Sequence, residues 1–259
     1  MSGYKVYELA EVCSRLSSGK GIPASRISVE GEFPVYGGNG LRGYTDQANF
    51  AGDCAIIGRQ GAFCGNVRYF KGEAYMTEHA VVVCATPEHN TRYLSYLLST
   101  MNLGRLSGQS AQPGLSVKTL AKQEVKMPAL EIQNRVALVL ALLDEKIELN
   151  NTINENLEQQ AQAYFQELFV DNADPEWTTG TISDLGTVVG GSTPSKAKPE
   201  YYTETGIAWI TPKDLSINKS KFVSHGENDI TELGLKNSSA VIMPEGTVLF
   251  SSRAPIGYI

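Results

Sequence analysis

Between residues 131 and 174 the sequence contains neither glycine nor proline. Over 131–169 its apolar face steps by three and four: Ile132, Val136, Val139, Leu143, Ile147, Asn150, Asn154, Leu157, Ala161, Tyr164 and Leu168. That rhythm belongs to a coiled-coil or long-helix segment. Pro128 stands before it and Asp171-Asn172-Ala173-Asp174-Pro175 closes it, which are ordinary helix boundaries. At 1.5 Å per residue the segment makes a rod of about 58 Å, too long for a helix inside a small core. Asn150 and Asn154 lie on the apolar stripe and admit two readings. They set the register against a partner, or they mark where the stripe turns to solvent.

The flanking segments resemble each other. Lys5-Val6-Tyr7-Glu8-Leu9 with the Ser/Gly turn ending at Lys20 matches Gly180-Thr181-Ile182-Ser183-Asp184-Leu185 with the turn ending at Lys196. Gly52-Asp53-Cys54-Ala55-Ile56-Ile57-Gly58-Arg59 matches Gly246-Thr247-Val248-Leu249-Phe250-Ser251-Ser252-Arg253. A long-period repeat of one module is indicated, with the second copy interrupted. In the first copy, β-rich runs (33–36, 54–57, 67–70 and 80–83) are separated by glycine-rich turns, and 91–101 has helical periodicity. The expected fold class is therefore mixed α/β. It comprises a complete module over 1–128, a long coiled-coil-type helix over 129–170, and a partial second copy over 171–259.

Three loops in the first module carry polar chemistry. Gly38-Asn39-Gly40-Leu41-Arg42-Gly43 fits a G-x-G-x-x-G pattern, but no helical periodicity follows it as a dinucleotide site requires. A backbone loop approaching a phosphate or a base edge, flanked by Arg42 and Tyr44, suits it better. The segment 57–69 sets Arg59, Gln60, Asn66 and Arg68 between two strands, and Arg253 recurs at the matching place in the second copy. Arginine reads guanine, and glutamine or asparagine reads adenine. The alternative is a polar hairpin. The segment 106–118 offers Gln109, Ser110, Gln112 and Lys118, either to follow a nucleic-acid backbone or simply to connect.

Charge and cysteines narrow the function classes. The chain has 22 basic and 28 acidic residues, a net −6. An acidic total counts against nucleic-acid binding, but residues 1–128 hold 13 basic and 10 acidic residues, so the deficit lies in the helix and the second copy. No run approaches the ~20 apolar residues of a membrane span, and the first five residues lack a signal-peptide core. Cys13, Cys54, Cys64 and Cys84 include no Cys-x-x-Cys pair, and the three histidines are scattered. The expectation is reduced, buried thiols, no metal site and a cytoplasmic location. No Walker A, G-x-S-x-G or H-E-x-x-H motif appears, nor the Asn-Pro-Pro-aromatic signature of amino-methyltransferases, so no catalytic residue is assigned.

Taken in order, Tyr36-Gly37-Gly38-Asn39-Gly40-Leu41-Arg42-Gly43-Tyr44, Ile57-Gly58-Arg59-Gln60-Gly61, Gln112-Pro113-Gly114-Leu115-Ser116-Val117-Lys118 and Pro128-Ala129-Leu130-Glu131-Ile132-Gln133 resemble the specificity subunit of type I restriction–modification enzymes. The resemblance extends through Leu142–Asn150, Thr211-Pro212-Lys213-Asp214-Leu215 and Ser251-Ser252-Arg253-Ala254-Pro255. It implies a non-catalytic subunit in which two target-recognition domains each read half of a split double-stranded DNA site. Two long helices would space them and dock methyltransferase subunits. S-adenosylmethionine and ATP would belong to the modification and restriction subunits, with no cofactor on this chain. With a single long helix in the sequence, an antiparallel homodimer through the apolar stripe is expected. A self-contained nuclease or methyltransferase fragment and a non-functional truncation product are the competing readings.

Overall fold

The computed structural model describes residues 3–61, 63–107, 114–218 and 220–259. It separates into two compact units, Met1–Asn172 and Ala173–Ile259. In chain order the first unit contains β1 (Lys5–Glu8), β2 (Cys13–Ser18), β3 (Phe33–Gly37), β4 (Gly40–Thr45), β5 (Phe50–Gly58), β6 (Val67–Met76), β7 (Ala80–Ala85), α1 (Thr91–Ser99), α2 (Val117–Ala121), β8 (Glu124–Met127) and α3 (Leu130–Gln166). The mixed α/β class and the long helix are as the sequence predicts.

Six strands form one sheet in the order β2-β7-β5-β6-β3-β4. Its central strands are apolar without alternation because both faces are covered. Ala55, Ile57, Val81 and Val83 pack on one side with Leu94 and Leu98 of α1. Cys54, Ile56 and Val82 pack on the other with Phe50 and Met76. The second side is closed by the sheet itself. Gly52 (φ 124°) faces Gly72 (φ 133°) across the β5–β6 ladder, a backbone setting that favours glycine. The ribbon curls there, so that the Lys20 N–H at the end of β2 donates to the Met76 carbonyl at the end of β6 (2.9 Å). Separately, β1 pairs antiparallel with β8, which ties the N-terminal strand to the segment leading into α3.

Burial settles the cysteine chemistry. Desolvation, with Cys84 adding to it for both, pushes the Cys13 and Cys54 thiols up to about 12. At pH 8 only about one in ten thousand of either is the reactive thiolate. A short iodoacetamide treatment of the native protein is expected to leave both unmodified by peptide mass mapping, and denaturation to release all four. Native Cys54 reacting as fast as denatured Cys54 would contradict this packing.

The helix α3 presents two different faces. Gln133, Ala137 and Ala141 are buried, with Leu140 and Asp144 partly so, and this face packs against α1. The stripe read from the sequence is rotated about 100° away and is exposed at every position from Ile132 to Leu168, Asn150 and Asn154 included. The last turn widens into a π-helical stretch, Glu167–Asp171.

In the second unit, α4 (Ile182–Leu185) is followed by β9 (Tyr202–Thr203), β10 (Ile207–Trp209), α5 (Pro212–Ile217), β11 (Asn228–Ile230) and α6 (Glu232–Lys236). The three strands form one antiparallel sheet in the order β10-β11-β9. Thr211 and Asp214 cap α5 reciprocally, and Asp214 also accepts the Glu227 N–H (2.9 Å). The expected repeat of β5 differs here. Gly246–Arg253 forms no strand, because the ladders that hold β5, to β6 and β7, have no counterpart along it among the described residues.

Candidate nucleic-acid interface

The three loops singled out in the sequence meet at the end of β5. Gly38, in the β3–β4 turn, lies directly on Gly58. A Cβ on Gly58 would fall 2.6 Å from the Gly38 carbonyl oxygen and 2.5 Å from that of Phe63. The loop between β5 and β6 closes on itself through the Gly58 N–H to the Asn66 carbonyl (2.9 Å) and the Gly65 N–H to the Gly58 carbonyl (2.8 Å). The third loop joins through the Leu115 N–H, which donates to the Arg59 carbonyl (2.8 Å), and through a bridge between Gln60 and Gly114. Backbone contacts thus weld segments distant in sequence into one rim.

The side chains divide into braces and outward groups. Arg59 is a brace: its Nε donates to the Leu115 carbonyl (3.3 Å) and its Nη1 to Ser18 Oγ (3.5 Å). Its main-chain N–H donates to the His79 carbonyl (3.0 Å). Arg42 runs beside Gly37, and the Arg68 guanidinium lies over Gly40, where a Cβ would meet its Nη1 at 2.8 Å. Burial, helped by the neighbouring Tyr44 hydroxyl and opposed by Arg68, raises the Tyr36 phenol above its ordinary value. Arg42, Gln60, Asn66, Arg68 and Lys118 are exposed, and Tyr44 is half-buried. Lys118 sits in α2, whose N-terminus is capped by Ser116 accepting the Thr119 N–H (3.1 Å). Gln109, Ser110 and Gln112 lie outside the described residues. Arg253 is exposed in the second unit.

Among the described residues Arg42, Arg68 and Lys118 form no ion pair, whereas Arg26, Arg92, Arg135 and Lys213 each meet a carboxylate. The rim keeps its positive charge available. Guanidinium and ammonium groups beside amide side chains suit phosphate oxygens and base edges. An open groove of about 590 Å³ behind the β5–β6 loop, lined by Asn66, Arg68, Ser99, Thr100 and Asn102 among others, continues the polar surface. Among the described residues no group of His, Cys, Asp and Glu could hold a metal ion, and no helix is long and apolar enough to cross a membrane.

The sequence matches the family described as the type I restriction modification DNA specificity domain over residues 1–159 and again over 175–259. The chain belongs to that family. Among curated specificity-family proteins it is similar to the type I restriction enzyme EcoprrI specificity subunit of Escherichia coli, at 41% identity over 145 residues. That alignment covers 54% of this chain and 35% of the relative. It is 45% identical over 95 residues to the MjaIX specificity subunit of Methanocaldococcus jannaschii, covering 37% of this chain and 22% of that one. The solved S subunit from M. genitalium superimposes with a TM-score of 0.60 over 82% of this chain and 56% of its own, at 16% identity, which shows a shared fold. The chain spans about a third of the first of these relatives and just over half of the solved S subunit.

Within this family member, sequence reasoning passed over the residues that seat α3 on its domain: Asn90, Arg92, Tyr96, Gln133 and Asp144. The signal was present. Gln133, Ala137, Ala141 and Asp144 recur at helical spacing one step away from the apolar stripe, a small and polar row that only a close neighbour explains.

Proposed function

We propose that the first unit is a target-recognition domain that reads one half of a split double-stranded DNA site, with Arg42, Tyr44, Gln60, Asn66, Arg68 and Lys118 facing DNA. Arg59 holds the reading loops in place, and Gln109, Ser110 and Gln112 are proposed from the sequence as further DNA contacts. The observation that carries this is the convergence of three separate loops on Gly58–Gln60 with unneutralised cations directed outward. The second unit, with Arg253, is a further recognition segment. The division into residues 1–128, 129–170 and 171–259 then follows function: reader, spacer, second reader. The chain is non-catalytic, and it directs modification and restriction subunits that bind S-adenosylmethionine and use ATP.

The excess of only three positive charges in residues 1–128 gives weak DNA affinity for the chain alone. In complex with the methyltransferase subunits, Arg42→Ala together with Arg68→Ala is expected to reduce the slope of log K against log salt by about two, one unit per lost phosphate contact. Fluorescence anisotropy across a salt series measures this. An unchanged slope and affinity would remove these two residues from the interface. Methylome sequencing of a host carrying the complex gives the sequence read.

The stripe on α3 is proposed to pair antiparallel with α3 of a second copy. Residues equidistant from Asn150 are matched in kind: Leu143 with Leu157, Val139 with Ala161, Val136 with Tyr164, and Ile132 with Leu168. A two-fold axis at Asn150 therefore sets apolar against apolar along the rod and Asn150 against its own copy, which fixes the register.

A further inference from the structure

Two polar clusters hold α3 on its domain. In the first, the amide of Gln133, fully buried, is oriented without ambiguity. Its Oε1 accepts the Asn90 main-chain N–H (2.9 Å), and its Nε2 donates to the Pro128 carbonyl (2.8 Å). With the amide so placed, its Nε2 also meets His89 Nδ1 (3.0 Å), which must accept, so His89 carries its proton on Nε2. Asn90 is itself the N-cap of α1, accepting the Tyr93 N–H (2.8 Å), and its amide donates to Asn134 (2.8 Å). In the second cluster, the Tyr96 hydroxyl donates to Asp144. Arg92 lies over the Tyr69 ring (4.9 Å) and reaches Tyr96, Asp144 and Glu145.

One attachment would leave α3 free to pivot, whereas two fix a line. The clusters are separated by eleven residues, about 16 Å along the axis. Ala137 and Ala141 between them are small enough for α1 to approach closely. Beyond Asp144 every residue of α3 is exposed, so nothing else among the described residues of the first unit corrects its direction. The remaining lever is long. From Gln133 to Gln166 the helix rises about 50 Å, so a tilt of about 4° displaces its far end by roughly 3.4 Å, one nucleotide step along DNA.

We infer that Gln133 with Asn90, and Asp144 with Tyr96 and Arg92, are positioning residues that set the angle between the reading rim and the long helix, and through it the tolerated length of DNA between half-sites. The spacing part of this inference rests on the DNA-reading function proposed above; the angular part does not. The test uses the full chain in complex with methyltransferase subunits and spin labels carried by encoded residues at the exposed positions Val29 and Glu158. With the labelled chain diluted into an excess of unlabelled chain, so that only the distance within one copy is read, the unsubstituted protein should give one narrow distance distribution. Gln133→Leu, which keeps volume and removes the amide, and Tyr96→Phe, which removes only the hydroxyl, should each broaden or shift it.

The same complexes are assayed for methylation on duplexes whose spacer is lengthened or shortened by one base pair. The preference for the correct spacer should fall about tenfold in either variant. Unchanged distances in a folded Tyr96→Phe protein would overturn the inference, even should Gln133→Leu fail to fold. Broadened distances with an unaltered spacer preference would overturn its spacing part. A complex that neither binds nor methylates any duplex would instead count against DNA reading and leave the angular result to stand on its own measurement.

Discussion

Replacing Gly58 with alanine is expected to destabilise the first unit by about 3 kcal/mol and to abolish DNA binding in the complex. The added methyl would sit 2.5 Å and 2.6 Å from two carbonyl oxygens, those of Phe63 and Gly38, and both belong to backbone. Neither can swing aside as a side-chain tip would, so β5 or the β3–β4 turn must shift, and overpacking of this kind costs on the order of 1–3 kcal/mol or more. The shift occurs where the three loops join, so the outward residues lose their common frame. Gly114→Ala is the control, since its Cβ meets nothing within 4 Å among the described residues. Thermal unfolding followed by circular dichroism, with DNA binding by anisotropy, separates the two. Gly58→Ala with an unchanged melting temperature would mean that the rim is not packed as described.

The second large effect is expected on the stripe. Leu143→Asp with Leu157→Asp should convert the chain from dimer to monomer in sedimentation velocity at micromolar concentration, with the circular dichroism of the domain retained. Both leucines are more than half exposed within one chain, so the substitution removes little intrachain packing. A two-fold pairing brings each introduced carboxylate opposite another at the matched position. Burying such charges without partners costs several kcal/mol apiece. Asn150→Leu should act in the opposite direction on stability and relax the register, giving more than one associated species. A wild-type chain that sediments as a monomer at these concentrations, without other subunits, removes the homodimer from the proposal.

Legibility in the sequence differed by element for physical reasons. The length of α3 was readable because the apolar period and the absence of glycine and proline both report local backbone preference. The strands β5 and β7 were readable as short apolar runs, and the structure shows why they lack alternation: both faces are buried. The loops were readable as polar and glycine-rich, but not their convergence, which depends on Gly38 touching Gly58 across some twenty residues. The distinction between Arg59 and Arg68 was hidden for a related reason. Both are arginines beside a glycine-rich loop, and only the ladder fixes which one turns back toward Leu115 and Ser18 and which stays exposed. The face of α3 that seats the domain was masked by the louder apolar stripe. A row of glutamine, two alanines and an aspartate has little hydrophobic contrast, although it holds the buried residues of the helix.

The separation of those two faces has a consequence for how new variants arise. The contacts that fix α3 to its own domain lie within α1 and the row from Gln133 to Asp144, whereas the exposed apolar stripe lies about 100° around the rod. A foreign reading domain could therefore be grafted onto this rod by recombination near Pro128, provided its α1 brings an asparagine cap and the Arg–Tyr pair. Assembly would be inherited unchanged while the recognised letters change. Under the proposed function the rod would serve as a standard fitting, and a new specificity would cost one exchanged cassette.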